Sequence, residues 1–395
     1  MTLYHSACRP AMRIAYVTET YPPELNGVAL TAARTVEHLR RRGHAVGLVR
    51  SRQSADDQPQ RPDDCLTFGC PIPMYPDLRF GLSFAMTLQQ RWQRAGTQLV
   101  HVATPGPLGW AAVSAAQRLA LPVTSDFRTN FHQYAQYYGA AWMAPLVQAY
   151  LRRFHARAWR NFVPTQETLH ELSAAGFERL HVVGRGVDTR CFAPAWRCPE
   201  LRRQWAPAGG PVLLYVGRLA AEKNVALALR AFRAVRGVLP AARMIVVGDG
   251  PTRAALTREY PEAHFVGVQR GETLSRHYAS ADMFLFPSLS DTFGNVTLEA
   301  LASGLPVVAY DTAAAAEHVR DELSGRLVAR GDEAGFLSAV CALACRHERL
   351  SWMRAQARAA ALRADWASVL GAFEDQLAQA VDAQQTESAQ AALVA

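Results

Sequence analysis

Two cations five residues apart, Arg218 and Lys223, and two carboxylates eight residues apart, Asp291 and Glu299, have the types and spacing to act on an anion. Arg218 and Lys223 lie in GRLAAEKN, Gly217 to Asn224, between an apolar strand pattern starting at Pro211 and a helical pattern from Val225 to Leu239. On such a loop a guanidinium acts as a planar fork and an ammonium as a point charge, and together they can neutralise a diphosphate. A solvated Arg and Lys on a polar surface is the alternative.

The carboxylates flank a second loop. Met283 to Pro287 and Leu305 to Tyr310 read as buried strands. Between them Val296, Leu298, Ala300, Leu301 and Ala302 give a short helix with a stop at Gly304. In a strand-helix-strand unit the helix N-terminus faces the carboxyl edge of the sheet, where open α/β folds bind ligands and free N–H groups attract anions. Thr292, Phe293, Gly294, Asn295 and Val296 occupy that corner, and Gly294 admits a ligand close to the backbone. Asp291 is either a plain partner of the helix dipole or a ligand group.

The first half builds a similar unit. Met12 opens a strand, MRIAYVT; either Met12 is the true start or residues 1 to 11 form a loose arm. A polar loop, Glu19 to Gly27, leads into a helix with Val28, Ala32, Val36 and Leu39 on one face, closed by Arg40 to Arg42 and Gly43. Val46 to Val49, Leu99 to Ala103 and Pro122 to Asp126 give further strands, with His101 facing the core and a helix from Pro107 to about Leu119. In Ser125 to Gly139, Tyr134, Tyr137 and Tyr138 could stack on sugars or cover an acyl chain, and Arg128 and His132 could meet an acidic head group; otherwise these rings pack the helix behind them. Trp142 to Phe162 reads as one basic, aromatic helix, suited to an anionic membrane interface or to a core with a solvated charged face. In the second half Met244 to Gly248 and Phe265 to Val268 are strands. Gly248 and Gly250 lack the third glycine of a dinucleotide fingerprint. Helices dominate from Ala313, and residues 382 to 395 read as a disordered tail.

Composition sets the class. Of 395 residues, 50% are hydrophobic and 19% charged, enough for two globular domains. The 42 Lys and Arg against 34 Asp and Glu give +8, which favours anionic partners. Cysteines at 8, 65, 70, 191, 198, 341 and 345 form no Cys-x-x-Cys pair, which fits a reduced cytosolic chain. No apolar run is long enough to cross a bilayer, and no signal-peptide core is present.

The stretch DTFGNVTLEALASG, Asp291 to Gly304, resembles the nucleotide-sugar site of the retaining glycosyltransferases of family 4. There the pattern is Glu, seven residues, Glu, with an aromatic-glycine pair after the first acid. Asp291 departs from it. GRLAAEKN and the crossing segment GRGVDTRCFAP, Gly184 to Pro194, extend the likeness, nearest to the lipid mannosyl- and sulfoquinovosyltransferases. The resemblance implies an α/β GT-B fold, two Rossmann-like domains facing a central cleft. The acceptor-side domain would be 12–185, with a helix at about 366–381 packing back on it, and the nucleotide-sugar domain 186–365. It also implies transfer of a hexose from GDP-mannose or a UDP-hexose to a lipid or lipid-linked hydroxyl with retention. Arg218, Lys223 and Asp291 would be catalytic. Gly27, Val268, Phe293, Gly294, Asn295, Val296 and Glu299 would bind the donor, with Glu299 on the ribose and Val268 beside the base. Arg128, His132 and Tyr134 would meet the acceptor. Family members that transfer mannose to phosphatidylinositol carry a His where this chain has Ala103.

No Asp-x-Asp occurs, which removes the site a metal-dependent GT-A enzyme uses. The expectation is no cofactor and no metal, no nucleic-acid partner, and a cytoplasmic protein with peripheral contact to an anionic membrane. A sugar-nucleotide epimerase and a non-catalytic sugar-nucleotide-binding subunit are the competing readings.

Overall fold

Short buried strands alternating with amphipathic helices build two α/β units, Met1–Gly184 with Leu370–Ala395, and Arg185–Val369. The computed structural model describes residues 10–24, 27–54, 56–72, 75–127, 144–291 and 293–394. The arm at 1–9 and most of the aromatic loop after Asp126 lie outside these residues.

The first unit runs β1 (Arg13–Thr18), α1 (Gly27–Arg41), β2 (Ala45–Ser51), β3 (Cys65–Ile72), β4 (Tyr75–Leu82), α2 (Ala85–Ala95), β5 (Leu99–Val102), α3 (Pro107–Arg118), β6 (Val123–Asp126), α4 (Ala144–His155), β7 (Arg160–Val163), α5 (Gln166–Ala174) and β8 (Leu180–Val182). Its sheet has the order β4-β3-β2-β1-β5-β6-β7-β8 and is parallel except for the β3–β4 hairpin. Helices cover both faces, so β1 is buried from Ile14 to Thr18 and reads as a continuous apolar run. On one face Ile14, Tyr16, Val36 and Leu39 pack with Phe373 and Leu377 of the last helix. On the other, Val17, Val100 and Val102 pack with Leu88, Trp92, Leu108 and Phe154. His101 lies fully buried between Thr124 and Asp126, at 3.0 and 3.2 Å.

The second unit runs α6 (Pro199–Trp205), β9 (Val212–Val216), α7 (Val225–Val238), β10 (Arg243–Val247), α8 (Arg253–Glu259), β11 (His264–Gly267), α9 (Gly271–Ser280), β12 (Met283–Phe286), α10 (Asn295–Ala302), β13 (Val307–Tyr310), α11 (Ala313–His318), β14 (Gly325–Val328), α12 (Glu333–Ala344) and α13 (His347–Leu362). Its parallel sheet has the order β11-β10-β9-β12-β13-β14. The final helix, α14 (Trp366–Val394), belongs to the first unit from Leu370 onward.

Four features differ from the sequence-based expectation. The β3–β4 hairpin and α2 fill a stretch for which the pattern gave no element, because Gly69, Pro71, Pro76 and Gly81 interrupt the alternation. The segment 142–162 is not one helix: α4 ends at His155, and Arg160–Val163 is a strand paired with β6 and β8. A strand, β14, lies within the region expected to be helical. Residues 382 to 394 continue α14 rather than forming a tail, since their Ala, Gln, Glu and Leu are helix formers and no Gly or Pro intervenes.

Candidate active site

In the second sheet the chain winds from β9 outward through β10 to β11 and then returns to lay β12 on the other side of β9. The carboxyl ends of β9 and β12 therefore form the switch point of a doubly wound sheet, the place where such folds open a crevice. The loop carrying Arg218 and Lys223 leaves β9, and the loop carrying Asp291 leaves β12. Topology thus brings together residues that lie far apart in the sequence.

The contact is direct. Lys223 Nζ donates to Asp291 Oδ1 at 2.7 Å and to the Ser290 carbonyl at 3.1 Å. The Leu289 N–H donates to the Glu222 carbonyl at 3.0 Å, tying one loop to the other. Lys223 sits in a tight turn, Ala221–Lys223, that ends at Asn224 in the left-handed region with φ 49°. Arg218 pairs with Glu222 Oε1 at 3.2 Å, and its side chain is 58% exposed, so its fork remains open to a ligand. Beneath the loop the buried Tyr215 hydroxyl donates to the Arg218 carbonyl at 3.2 Å. Burial, with added effect from Asp291 and Glu222, raises the pKa of this phenol well above its ordinary value and keeps it a neutral donor.

The loop from β12 presents unsatisfied acceptors. Asp291 Oδ2 and Asn295 Oδ1 are buried with no hydrogen-bond partner, a condition that a bound hydroxyl or amide would relieve. Gly294 precedes α10 at φ 84°, a conformation that favours glycine, and a Cβ there would meet the Phe286 ring at 3.4 Å. The amides of Asn295 and Val296 begin the helix and, as first-turn groups, lack intrahelical acceptors. Glu299, one turn on, accepts from the buried Tyr278 hydroxyl at 2.9 Å, which fixes the direction of its carboxylate.

One candidate is placed differently from expectation. The Phe293 ring is 2% exposed, held between Arg185 and His318 at 5.9 Å each, so it anchors the turn before Gly294 and does not face a ligand. Val268 is exposed past the end of β11, two strands away from β9 in the sheet order. Gly248, which fails as a fingerprint residue, has another purpose. A Cβ there would stand 2.0 Å from the Gly217 carbonyl, so its absence lets the β10 exit pass under the Arg218 loop.

In the first unit the reversal of strand order falls between β1 and β5. Gly27 begins α1 there. The residue that organises this edge is Glu19, at the end of β1. Its carboxylate accepts the N–H groups of Leu108 at 3.1 Å and Gly81 at 3.3 Å, so it caps α3 and holds the β3–β4 hairpin. A Cβ on Gly106 would lie 1.8 Å from Glu19 Oε2, so only glycine admits the carboxylate. Burial raises the Glu19 pKa to about 7, against the lowering effect of those backbone donors. Because the folded state holds the proton more tightly than the unfolded chain, this group's stabilisation is complete below the ordinary value of 4.5 and is lost as pH rises toward 7. The melting temperature of Glu19→Gln minus that of the wild type should therefore increase between pH 5 and about 7, then level off; a pH-independent difference would contradict the assignment. Arg128, His132 and Tyr134 lie outside the described residues.

The family description "Glycosyl transferases group 1" matches residues 210–346, and "Glycosyltransferase Family 4" matches residues 25–190. A GDP-mannose-dependent alpha-mannosyltransferase of Mycobacterium tuberculosis is 36% identical over 376 residues, 92% of this chain and 96% of that protein. The chain belongs to glycosyltransferase family 4. An alpha-monoglucosyldiacylglycerol synthase of Streptococcus pneumoniae is 27% identical over 339 residues, 80% of this chain and 75% of that protein. Among solved structures, sucrose-phosphate synthase of Thermosynechococcus elongatus superposes with a TM-score of 0.75 at 19% identity, covering 94% of this chain and all of that one. Each unit has the doubly wound sheet of the GT-B fold.

A family 4 glycosyltransferase uses a nucleotide sugar, and the second unit holds groups suited to its diphosphate. Sequence reasoning missed Tyr278 and Glu19 because their partners are distant in the chain, and Tyr215 because it reads as one more residue of a buried apolar strand. The signal available for Glu19 was an acid at the carboxyl end of the first strand.

Proposed function

We propose that this enzyme transfers mannose from GDP-mannose to a hydroxyl of a lipid or lipid-linked glycan, with retention and without a metal, in the cytoplasm at the face of an anionic membrane. The observation that carries the reading is the Lys223–Asp291 pair beside Arg218 at the switch point of the second sheet. Negative charge grows on the departing diphosphate as the glycosidic bond breaks. Fixed cations and helix N–H groups stabilise it without reorganising. Arg218, Lys223 and the amides at Gly294 to Val296 fill that role, and Glu299 receives the ribose hydroxyls.

Asp291 has a narrower part. Its Oδ1 is committed to Lys223, which makes it a poor nucleophile, while its buried, unpartnered Oδ2 is placed to accept a sugar hydroxyl. Retention then follows from attack on the face that the diphosphate leaves: the acceptor oxygen bonds to the anomeric carbon, the glycosidic C–O bond breaks, and the acceptor proton passes to a phosphate oxygen. Mannose and GDP are favoured over a UDP-hexose by the 36% identical relative, and a lipid acceptor by the diacylglycerol named for the other.

Thermal unfolding in EDTA against GDP, UDP, ADP and their hexose conjugates tests the donor. A ligand that binds only the folded state adds about 2.7 kcal/mol at a hundredfold excess over Kd. GDP and GDP-mannose should stabilise the protein selectively, and Glu299→Ala should lose the shift. Stabilisation by UDP alone would move the donor to a UDP-hexose. Activity abolished by EDTA and restored by Mg²⁺ would overturn the metal-independent mechanism.

A further inference from the structure

Each of the two cations at the switch point is paired with an acid from the site's own loops. Lys223 meets Asp291 at 2.7 Å and Arg218 meets Glu222 Oε1 at 3.2 Å, so the two pairs carry no net charge of their own. They are unequal. Lys223 and Asp291 have side chains 18% and 19% exposed, and the ammonium has a second acceptor in the Ser290 carbonyl. Arg218 reaches its acid through Nη2, with 58% of its side chain exposed, and among the described residues the guanidinium has no other partner. A single contact of this kind between solvated groups is weak and readily exchanged.

A diphosphate that offers two oxygens to the guanidinium fork is a better acceptor than one carboxylate oxygen. Glu222 gives way to it but cannot go far. Its backbone carbonyl takes the Leu289 N–H at 3.0 Å, and it lies in the tight turn Ala221–Lys223. Glu222 and Asp291 both act on the buried Tyr215 phenol, whose hydroxyl supports the Arg218 carbonyl, so a displaced Glu222 carboxylate stays beside the phosphate site. An acid tethered four residues from its arginine is an intramolecular competitor, present at high effective concentration.

Charge decides which ligand it opposes most. Once the glycosidic C–O bond breaks and the proton taken from the acceptor is lost, the terminal phosphate ionises a second time, with a pKa of about 6, so the product carries about one more negative charge than the donor. Repulsion from Glu222 grows accordingly.

We infer that Glu222 is a positioning residue that competes with the diphosphate for Arg218 and thereby favours release of the nucleoside diphosphate after transfer. This role rests on the diphosphate reading of the site, whatever the base or sugar.

Calorimetric titration of the full chain with GDP and with UDP, together with steady-state inhibition by GDP, tests the competition. Glutamine keeps the size of the side chain and the carbonyl that holds Leu289, so the melting temperature of Glu222→Gln without nucleotide should match the wild type. Its Kd for GDP should fall by about fivefold or more and GDP should inhibit at a correspondingly lower concentration, while KM for GDP-mannose falls by a smaller factor. In an Arg218→Ala background, Glu222→Gln should change the GDP Kd by less than about twofold, because the contested cation is gone. An unchanged or weaker GDP affinity in Glu222→Gln, or an equal gain with Arg218 absent, would overturn the role. Tightening of UDP in place of GDP would leave Glu222 as the competitor and remove GDP-mannose as the donor, and binding of neither diphosphate by the wild type would overturn both.

Discussion

Replacing Lys223 by alanine should lower kcat by roughly 10²- to 10³-fold, the loss expected when a preorganised group facing developing charge is removed. Lys223 is the only lysine in a chain whose 42 Lys and Arg are otherwise all arginine, and its ammonium reaches two oxygens of the β12 loop at 2.7 and 3.1 Å. The substitution removes the cation and also leaves Asp291 with neither oxygen paired, in a pocket where its side chain is only 19% exposed. Both consequences weaken the transition state more than ground-state binding, so kcat should fall further than KM for the donor rises. Lys223→Arg should not restore the rate, because a planar fork cannot occupy the position of a point charge held between Asp291 and the Ser290 carbonyl. The single lysine also permits a chemical check: an amine-directed acylating reagent should inactivate the enzyme by modifying Lys223, and GDP should protect it. A fall in kcat of less than tenfold, with an unaltered melting temperature, would remove Lys223 from the chemistry.

Arg218, Lys223, Asp291 and Glu299 were legible because each lies on a loop or helix start whose flanking strand shows as a short apolar run. A doubly wound sheet directs such loops to one edge, so local pattern was enough to bring them together. The partners that orient them were not legible. Tyr278 reaches Glu299 from another helix, and Tyr215 supports the Arg218 carbonyl from inside the core. Glu19 meets Gly81 and Leu108, 62 and 89 residues away. The orientation of Phe293 was hidden for a related reason: the resemblance makes it a donor-binding residue, whereas tertiary packing against Arg185 and His318 turns its ring inward. The strand β7 was hidden because Arg160, Asn161 and Phe162 continue the helical spacing of α4, and only pairing with β6 and β8 decides between the two.

Glu374→Ala should be the most damaging single change to the first unit. Glu374 is 3% exposed on the underside of α14 and accepts three donors: His44 Nε2 at 3.1 Å, His38 Nε2 at 3.2 Å and Arg42 Nε at 3.2 Å. His44 Nδ1 accepts the Met12 N–H at 3.0 Å, so its proton is on Nε2 and the neutral ring donates to the carboxylate. Removing the acceptor strands a buried imidazole N–H and uncouples α14 from α1. Loss of one partner of a buried charged cluster costs about 3 kcal/mol or more, which at about 2–4 °C per kcal/mol lowers the melting temperature by about 6–12 °C. Burial pushes the Glu374 carboxyl upward, but the hydrogen bonds of His44 and Arg42 with the Arg42 charge outweigh it and leave the group below the ordinary 4.5. Its contribution is therefore present above pH 4.5 and is lost as pH falls through the lower folded value. Burial also lowers the His38 pKa below 6.5, so the unfolded chain takes up a proton that the folded one declines, and stability falls as pH drops below that value. The deficit of Glu374→Ala against wild type should thus be full at pH 7 and shrink below about pH 4.5, measured by thermal unfolding. Limited proteolysis should release the chain after Leu370 in the variant first, while the shift with GDP-mannose persists, because Arg218, Lys223 and Glu299 belong to the other unit. A change in melting temperature of less than about 2 °C at pH 7 would show that apolar contacts of Phe373 and Leu377 alone hold α14 in place.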